Sequence, residues 1–259
     1  MNQGKFTFLG TGTSQGVPLI GCTCPVCTSS DPRNKRLRSA GYIVTPEVKL
    51  NIDIGTDFRQ QMLRAELNDT DGVLITHEHI DHINGIDDLR PINQLQDKVI
   101  PLYAEARVLE QIRERYNYIF EKSRYPGLPK IRLVPISPGD TLMLGDLEIE
   151  VLRVYHGDLP ILGFKMGDLT YLTDVKRVPQ ETIDKINLSE TLITSALHKR
   201  THHSHMNLQE SLAFVEGLTP KQVYLIHCSH QMGTYEEVST ELPPRVELAY
   251  DGLELIFQY

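Results

Sequence analysis

The 259-residue chain has no tryptophan, only four cysteines, and fewer basic than acidic residues, 26 Lys and Arg against 34 Asp and Glu, for a formal charge of −8. It also lacks any run near the ~20 consecutive apolar residues that a membrane-spanning helix needs. Each shortage removes a class of protein. Met1-Asn2-Gln3-Gly4-Lys5 enters a strand-like stretch without the apolar core of a signal peptide, so the cytoplasm is the expected location. The acidic balance argues against a general polyanion binder, because the sequence-independent part of nucleic-acid affinity comes from Lys and Arg neutralising phosphates. Four cysteines in so long a chain make a poor disulfide framework. Three of them, Cys22, Cys24 and Cys27, crowd into six residues, which suggests a metal.

What the chain does contain is an ordinary globular composition, 40% hydrophobic and 23% charged, enough to bury a sizeable core. Short β-branched or aromatic runs predict strands over 5–9, 42–45, 49–54, 72–76, 99–103, 131–136 and 147–154. Further strands are expected over 162–166, 169–173, 191–194, 222–226, 246–250 and 253–257. Helix-like segments cover 56–67, 105–120, 179–186, 207–218 and 234–242. The order is neither strict βαβ alternation nor all-β, so a mixed, layered α/β architecture with helices outside two sheets is expected. No linker or repeat divides it, and 1–259 reads as one domain. The Pro/Gly-punctuated stretch 123–130 is a loop within that domain. The stretch Gly10-Thr-Gly12-Thr-Ser-Gln-Gly16-Val-Pro18 is a turn rather than a dinucleotide loop, since its third glycine falls one residue late and a cysteine cluster follows where a helix would be needed.

The chemistry concentrates in His77-Glu78-His79-Ile80-Asp81-His82, which follows the run Val73-Leu-Ile-Thr76. Imidazole and carboxylate side chains suit zinc, manganese or iron. Four of them within six residues make poor core residues, because buried unpaired polar groups are costly.

This run resembles the H-x-H-x-D-H signature of the metallo-β-lactamase superfamily, and the rest of that family's pattern follows in order. Asp53 matches the acidic residue that supports the metal loop, His156 the next ligand, Asp174 the bridging carboxylate and His227 the last histidine; each ends a β-run. The resemblance implies a four-layer αββα sandwich with two catalytic divalent metals, zinc or manganese. His77, His79 and His156 would hold one, Asp81, His82 and His227 the other, with Asp174 between. It implies a hydrolase in which a metal-bridging hydroxide attacks, oriented by Asp81. Glu78, between ligands, is expected to point away. His205, before a helix with Asn207 as N-cap and Glu210 as its N3 partner, resembles the family histidine that contacts the scissile phosphate. His198, His202 and His203 beside it fit a polar loop equally well.

Cys22-x-Cys24-x-x-Cys27 supplies three thiolates and needs a fourth ligand for a closed structural zinc site; Cys228 and His230 are the candidates. The chain is most similar to the PhnP-type phosphodiesterases, the phosphoribosyl cyclic phosphodiesterases, whose extra zinc is held by C-x-C-x-x-C plus the second histidine of an H-x-x-H pair. That resemblance assigns His230, from His227-Cys-Ser-His230, and narrows the expected substrate to a small phosphodiester, cyclic ones included. A homodimer is allowed. Phe8-Leu-Gly-Thr-Gly12 also resembles tRNase Z, but that family's long tRNA-holding arm is not evident. A non-catalytic or redox member of the fold is the third alternative, and His79 stands where diiron redox members carry Glu. Lys35-Arg36-Leu37-Arg38 and the basic, aromatic segment 105–130, with Arg113, Arg115, Tyr116, Tyr118, Phe120, Arg124 and Tyr125, are possible substrate contacts that more often serve as a solvated loop and an amphipathic helix.

Overall fold

A computed structural model describes residues 2–121 and 127–259 of the chain; Arg124 and Tyr125 lie outside the described residues. Fourteen strands follow in order: β1 (Gln3–Gly10), β2 (Ala40–Val44), β3 (Lys49–Ile52), β4 (Gly72–Leu74), β5 (Ile100–Ala104), β6 (Ile131–Pro135), β7 (Thr141–Leu144), β8 (Leu147–His156), β9 (Leu159–Met166), β10 (Leu169–Tyr171), β11 (Thr191–Ser195), β12 (Gln222–Ile226), β13 (Val246–Leu248) and β14 (Glu254–Gln258). They form two seven-stranded sheets, in the orders β14-β1-β2-β3-β4-β5-β6 and β13-β12-β11-β10-β9-β8-β7. Each sheet is half antiparallel and half parallel: β3 to β6 run parallel in the first and β10 to β13 in the second.

Alternation along the strands explains the layering, since successive side chains point to opposite faces. Phe6, Phe8, Ile43, Leu50, Leu74, Val151, Phe164, Tyr171 and Ile226 meet between the sheets. Tyr42, Val73 and Leu102, one position out of phase, face the outer side with Phe58, Ile83, Val108 and Ile112. Leu152, Val154, Val223 and Leu225 do the same on the other sheet against Ile186, Leu208 and Val215. Strands buried on both faces read as continuous apolar runs, which is why most were visible in the sequence. The helices Phe58–Arg64 and Ala106–Arg115 cover one sheet; Gln180–Ile186, Leu208–Glu216 and Tyr235–Glu241 cover the other. The result is the four-layer αββα sandwich that the sequence led us to expect.

Two local expectations change. The single helix expected over 105–120 breaks at Tyr116 into Ala106–Arg115 and Asn117–Phe120, because the Tyr116 ring is buried and its hydroxyl donates to the Ile83 carbonyl at 3.1 Å. β7 and the helix Arg90–Gln96 were not anticipated; β7, Thr-Leu-Met-Leu, is an edge strand of only four residues, Leu142 and Leu144 packed inward and Met143 exposed. Among the described residues no helix is long and apolar enough to cross a membrane.

The fold leaves little room under the metal-signature loop. A Cβ on Gly55 would stand 1.8 Å from the Asp81 carbonyl oxygen, whereas one on Gly217 meets nothing within 4 Å. Gly55→Ala is therefore expected to cost at least about 1–3 kcal/mol, and Gly217→Ala to stay within about 0.5 kcal/mol. Urea unfolding of the two variants checks this; equal stability would show that the loop yields freely.

Candidate metal centre

All seven histidines and carboxylates assigned to the catalytic metals, together with Asp53 and His205, converge where the parallel strands end. Asp53 follows β3, the 77–82 run follows β4, His156 ends β8, Asp174 follows β10 and His227 follows β12. Three of them leave their strands with a left-handed backbone: φ is 58° at Asp53, 55° at Asp174 and 58° at His227. Non-glycine residues rarely adopt this conformation, and it concentrates at functional sites, where surrounding structure holds the strain. The turn aims each side chain across the strand ends. A backbone bond from the Leu162 N–H to the Thr76 carbonyl, 3.0 Å, ties the two sheets together beside the loop.

The imidazoles are fixed from behind. Thr76 Oγ1 donates to Asp53 at 2.8 Å, so it accepts from His77 Nδ1 at 2.9 Å. His82 Nδ1 donates to Asp53 at 2.7 Å and His156 Nδ1 to the Ser204 carbonyl at 2.8 Å. Ser39 Oγ donates to the Gly12 carbonyl at 3.0 Å and so accepts from His227 Nδ1 at 3.2 Å. With Nδ1 engaged, each of these four rings turns Nε2 inward; such outer partners fix tautomer and orientation in metal sites. His79 is presented the other way, its Nδ1 3.0 Å from His77 Nε2.

The inward atoms of His82 and His227 meet the carboxylates of Asp81 and Asp174. His82 Nε2 is 3.2 Å from both Asp81 and Asp174, and His227 Nε2 is 3.0 Å from Asp174. Yet His82 Nε2 makes no hydrogen bond, and neither does the buried Nδ1 of His205, 3.6 Å from Asp174. Ligand atoms of His77, His82 and Asp174, of Asp81, His82 and His227, and of His156, Asp174 and His205 each lie within 4.8 Å of one another. Orphaned buried nitrogens aimed at shared carboxylates fit divalent ions, which would accept the lone pairs that no donor meets. His205 stands within this cluster, its Nδ1 3.6 Å from Asp174.

Burial sets the charges, modified by neighbours. It pulls the His77 ring well below the usual histidine range, with His82 adding to the effect, and pulls His79 down, with His156 adding. It takes His205 to about 2. His82 goes the other way: burial alone would lower it, but Asp81, Asp53 and Asp174 outweigh burial and hold it well above the usual range. For Asp174, burial is outweighed by His227 and His82, so it stays ionised far below the usual carboxylate range.

The second cluster also assembles. His230 Nδ1 is 3.4 Å from both Cys22 and Cys24 Sγ, and Cys22, Cys24, Cys27 and His230 place one ligand atom each within 4.8 Å of the others. Cys228 is buried elsewhere, its thiol directed to the Ile226 carbonyl. The backbone explains the meeting: the Cys228 N–H donates to the Thr11 carbonyl at 3.0 Å and the Thr13 N–H to the Cys228 carbonyl at 3.2 Å, drawing the N-terminal loop against the end of β12. His230 holds the Cys24 thiol down to about 6, favouring the thiolate a metal requires. Four such donors suit tetrahedral zinc.

Glu78 does point out of the cluster, but it is not idle. It pairs with Arg107, which also donates to the Pro160 carbonyl at 2.7 Å, fastening the metal-signature loop to a helix and to β9. The basic run 35–38 serves the fold instead of a phosphate: Arg36 is buried against Thr11 and the Ala249 carbonyl, and Arg38 pairs with Asp57 at 2.8 Å. Arg113 lies 5.2 Å over the Phe120 ring and Tyr118 donates to Asp87, as packing predicts. Asn207 and Glu210 form a reciprocal capping box that seats His205. The supporting Ser39, Thr76 and Ser204 carry no sequence signal, since hydroxyl residues and carbonyls occur everywhere and only the fold brings them behind a ring.

Residues 49–228 match the family described as the beta-lactamase superfamily domain, and the chain belongs to that superfamily. Within it the chain is PhnP-like: a diphosphatase from the PhnP family superposes with a TM-score of 0.92 at 33% identity, over 98% of this chain and 97% of that one. The short form of human tRNase Z shares the fold, with a TM-score of 0.69 at 19% identity over 97% and 98% of the two chains. A protein named octanoyltransferase from Porphyromonas gingivalis is 41% identical over 250 residues, 96% of this chain and 50% of its own length. The chain spans about half or less of the curated relatives it matches.

Since His82 is held above the usual range in the metal-free chain, its proton must leave before Nε2 can bind a cation. Below that raised value protons compete, so affinity climbs as pH rises toward it. Titrating metal-free protein with Mn²⁺, which thiolate sites bind poorly, in two buffers of different ionisation heat at pH 7 is expected to show proton release; buffer-independent heats would contradict the assignment.

Proposed function

We propose that the chain is a metal-dependent phosphodiesterase acting on a small phosphodiester, cyclic ones included. The observation that supports this most is the arrangement of His77, His79, His82, His156 and His227 around Asp81 and Asp174, four of the five rings held at Nδ1 by partners outside the cluster, together with the likeness to a PhnP-family diphosphatase. We assign His77, His79 and His156 to one divalent ion, Asp81, His82 and His227 to the other, and Asp174 to both. Bound there, zinc or manganese would supply Lewis acidity, acidifying water and offsetting charge on phosphoryl oxygens. Cys22, Cys24, Cys27 and His230 would hold a structural zinc.

The residues themselves divide the remaining work. Asp81, 8% exposed and held ionised, can accept a hydrogen bond from the attacking water and fix its direction. His205 is buried and neutral, its ring stacked 5.1 Å from His227. It therefore suits donation of one N–H to a phosphate oxygen, a preorganised dipole rather than a store of protons. Substrate size follows from the cleft beside His79 and His156, about 700 Å³ and open at one side. With a net charge of −8, the chain has little to grip a long polyanion.

Processing of precursor tRNA is the second reading, favoured by the shared fold of human tRNase Z. Bis-p-nitrophenyl phosphate, nucleoside 2′,3′-cyclic phosphates and a precursor tRNA, assayed with Mn²⁺ or Zn²⁺, separate the two. Hydrolysis of the small diesters is expected, and His79→Ala is expected to lower kcat/KM by at least about 100-fold, since even outer-shell changes cost 10–100-fold. Undiminished turnover in His79→Ala, or activity confined to tRNA at nanomolar enzyme, would overturn the proposal.

A further inference from the structure

Four of the five histidines around Asp81 and Asp174 are anchored from behind at Nδ1, by Thr76, Asp53, Ser204 and Ser39. His79 has no such anchor. It is exposed, its Nδ1 faces His77 Nε2 at 3.0 Å, and among the described residues its ring makes no other hydrogen bond. Outer partners fix the orientation of ligand rings and are worth about 10–100-fold in metal affinity. What holds the backbone at His79 is instead its neighbour, Glu78.

Glu78 pairs with Arg107, the second residue of the helix Ala106–Arg115. Its Oε2 is buried and meets no donor, and among the described residues Arg107 is the one cation that pairs with this carboxylate. A buried charge stripped of its partner is strongly disfavoured, which gives the pair a fixed place. The same guanidinium donates to the Pro160 carbonyl at 2.7 Å. Pro160 stands opposite Tyr155 in the β8–β9 register, one step from the pair His156 and Leu159. Glu105, 3.7 Å from Arg107, accepts from Arg153 of β8 at 2.5 and 2.9 Å and steadies the arrangement. One guanidinium therefore spans the residue between His77 and His79, on the loop of one sheet, and the hairpin that presents His156 from the other. The remaining ligands have separate supports: the Ile54 N–H donates to the His82 carbonyl at 2.9 Å, and the Cys228 N–H to the Thr11 carbonyl at 3.0 Å beside His227.

We propose that Arg107, acting through Glu78, is a positioning residue for His79, and that it sets the affinity of the His77, His79 and His156 site for its cation while leaving the Asp81, His82 and His227 site unchanged. This rests on the two-cation division of ligands proposed above and is independent of the substrate.

Titration of the metal-free full chain with Mn²⁺, which thiolate sites bind poorly, tests it by electron paramagnetic resonance without any turnover. Ions about 3.5–4 Å apart couple magnetically, so the wild type at two equivalents is expected to lose the six-line signal of an isolated ion. In Arg107→Met the second ion should bind about 10–100-fold more weakly, and the isolated-ion signal should persist at two equivalents. The site affected is read in two backgrounds. Added to His227→Ala, which keeps the first ligand set, Arg107→Met should lower Mn²⁺ affinity by the same factor; added to His79→Ala, it should change affinity by less than about twofold, as independent sites do. Combining Arg107→Met with Glu78→Gln removes the stranded charge, so thermal unfolding of the metal-free chain should return toward wild type while the weakened site stays weak. A coupled signal in Arg107→Met equal to that of the wild type, an equal loss in both backgrounds, or recovery of the site in the Glu78→Gln combination overturns the positioning role. A wild type that binds a single Mn²⁺ removes the two-cation division itself, and this role with it.

Discussion

Asp53 and His82 meet at 2.7 Å with neither side chain exposed to water, and much of the site hangs on that contact. The same carboxylate accepts from the Thr76 N–H at 2.9 Å and from its hydroxyl at 2.8 Å, so one buried anion fixes the start of the metal-signature loop, His82 and, through Thr76, His77. A buried carboxylate costs several kcal/mol unless its oxygens are satisfied, and here three donors satisfy it. The cost is met by the fold in order to hold imidazoles in one orientation. What the cluster still lacks is a partner for His82 Nε2 and His205 Nδ1, and that is the strongest physical reason to regard it as a place for cations.

The layering serves this arrangement. Parallel halves in both sheets send the ends of β3, β4, β10 and β12 toward one edge, and left-handed turns at Asp53, Asp174 and His227 redirect side chains there. The cysteine loop adds a second constraint. Through Thr11, Thr13 and Cys228 the N-terminal segment is stitched to the end of β12, and His230 lies three residues after His227. The two clusters are therefore mechanically joined: whatever closes the Cys22, Cys24, Cys27 and His230 set also steadies the backbone that presents His227.

Most of this was legible beforehand because it is local. The 77–82 run has its donors within one loop, three of the four cysteines sit within six residues, and strands buried on both faces announce themselves as apolar runs. His156, Asp174 and His227 were found through the order of a family pattern, since a single His or Asp at a strand end has no local signature. The supporting hydroxyls and carbonyls were invisible: Ser39 lies 188 residues from His227 and acts through one oxygen. The roles of Glu78 and Arg107 likewise depend on which residues the sheets bring side by side. The helix break at Tyr116 was lost because a buried tyrosine on an amphipathic helix looks the same whether or not its hydroxyl pulls the chain out of line.

The central claim is that two cation sites share Asp174 and a third is built from thiolates. Anomalous diffraction at the zinc and manganese edges from metal-loaded crystals reads all three at once. The account predicts two peaks flanking Asp174, about 3.5–4 Å apart, and a separate zinc peak among Cys22, Cys24, Cys27 and His230. A single peak at the histidine cluster, or density coordinated by none of His77, His82 and His227, would contradict it.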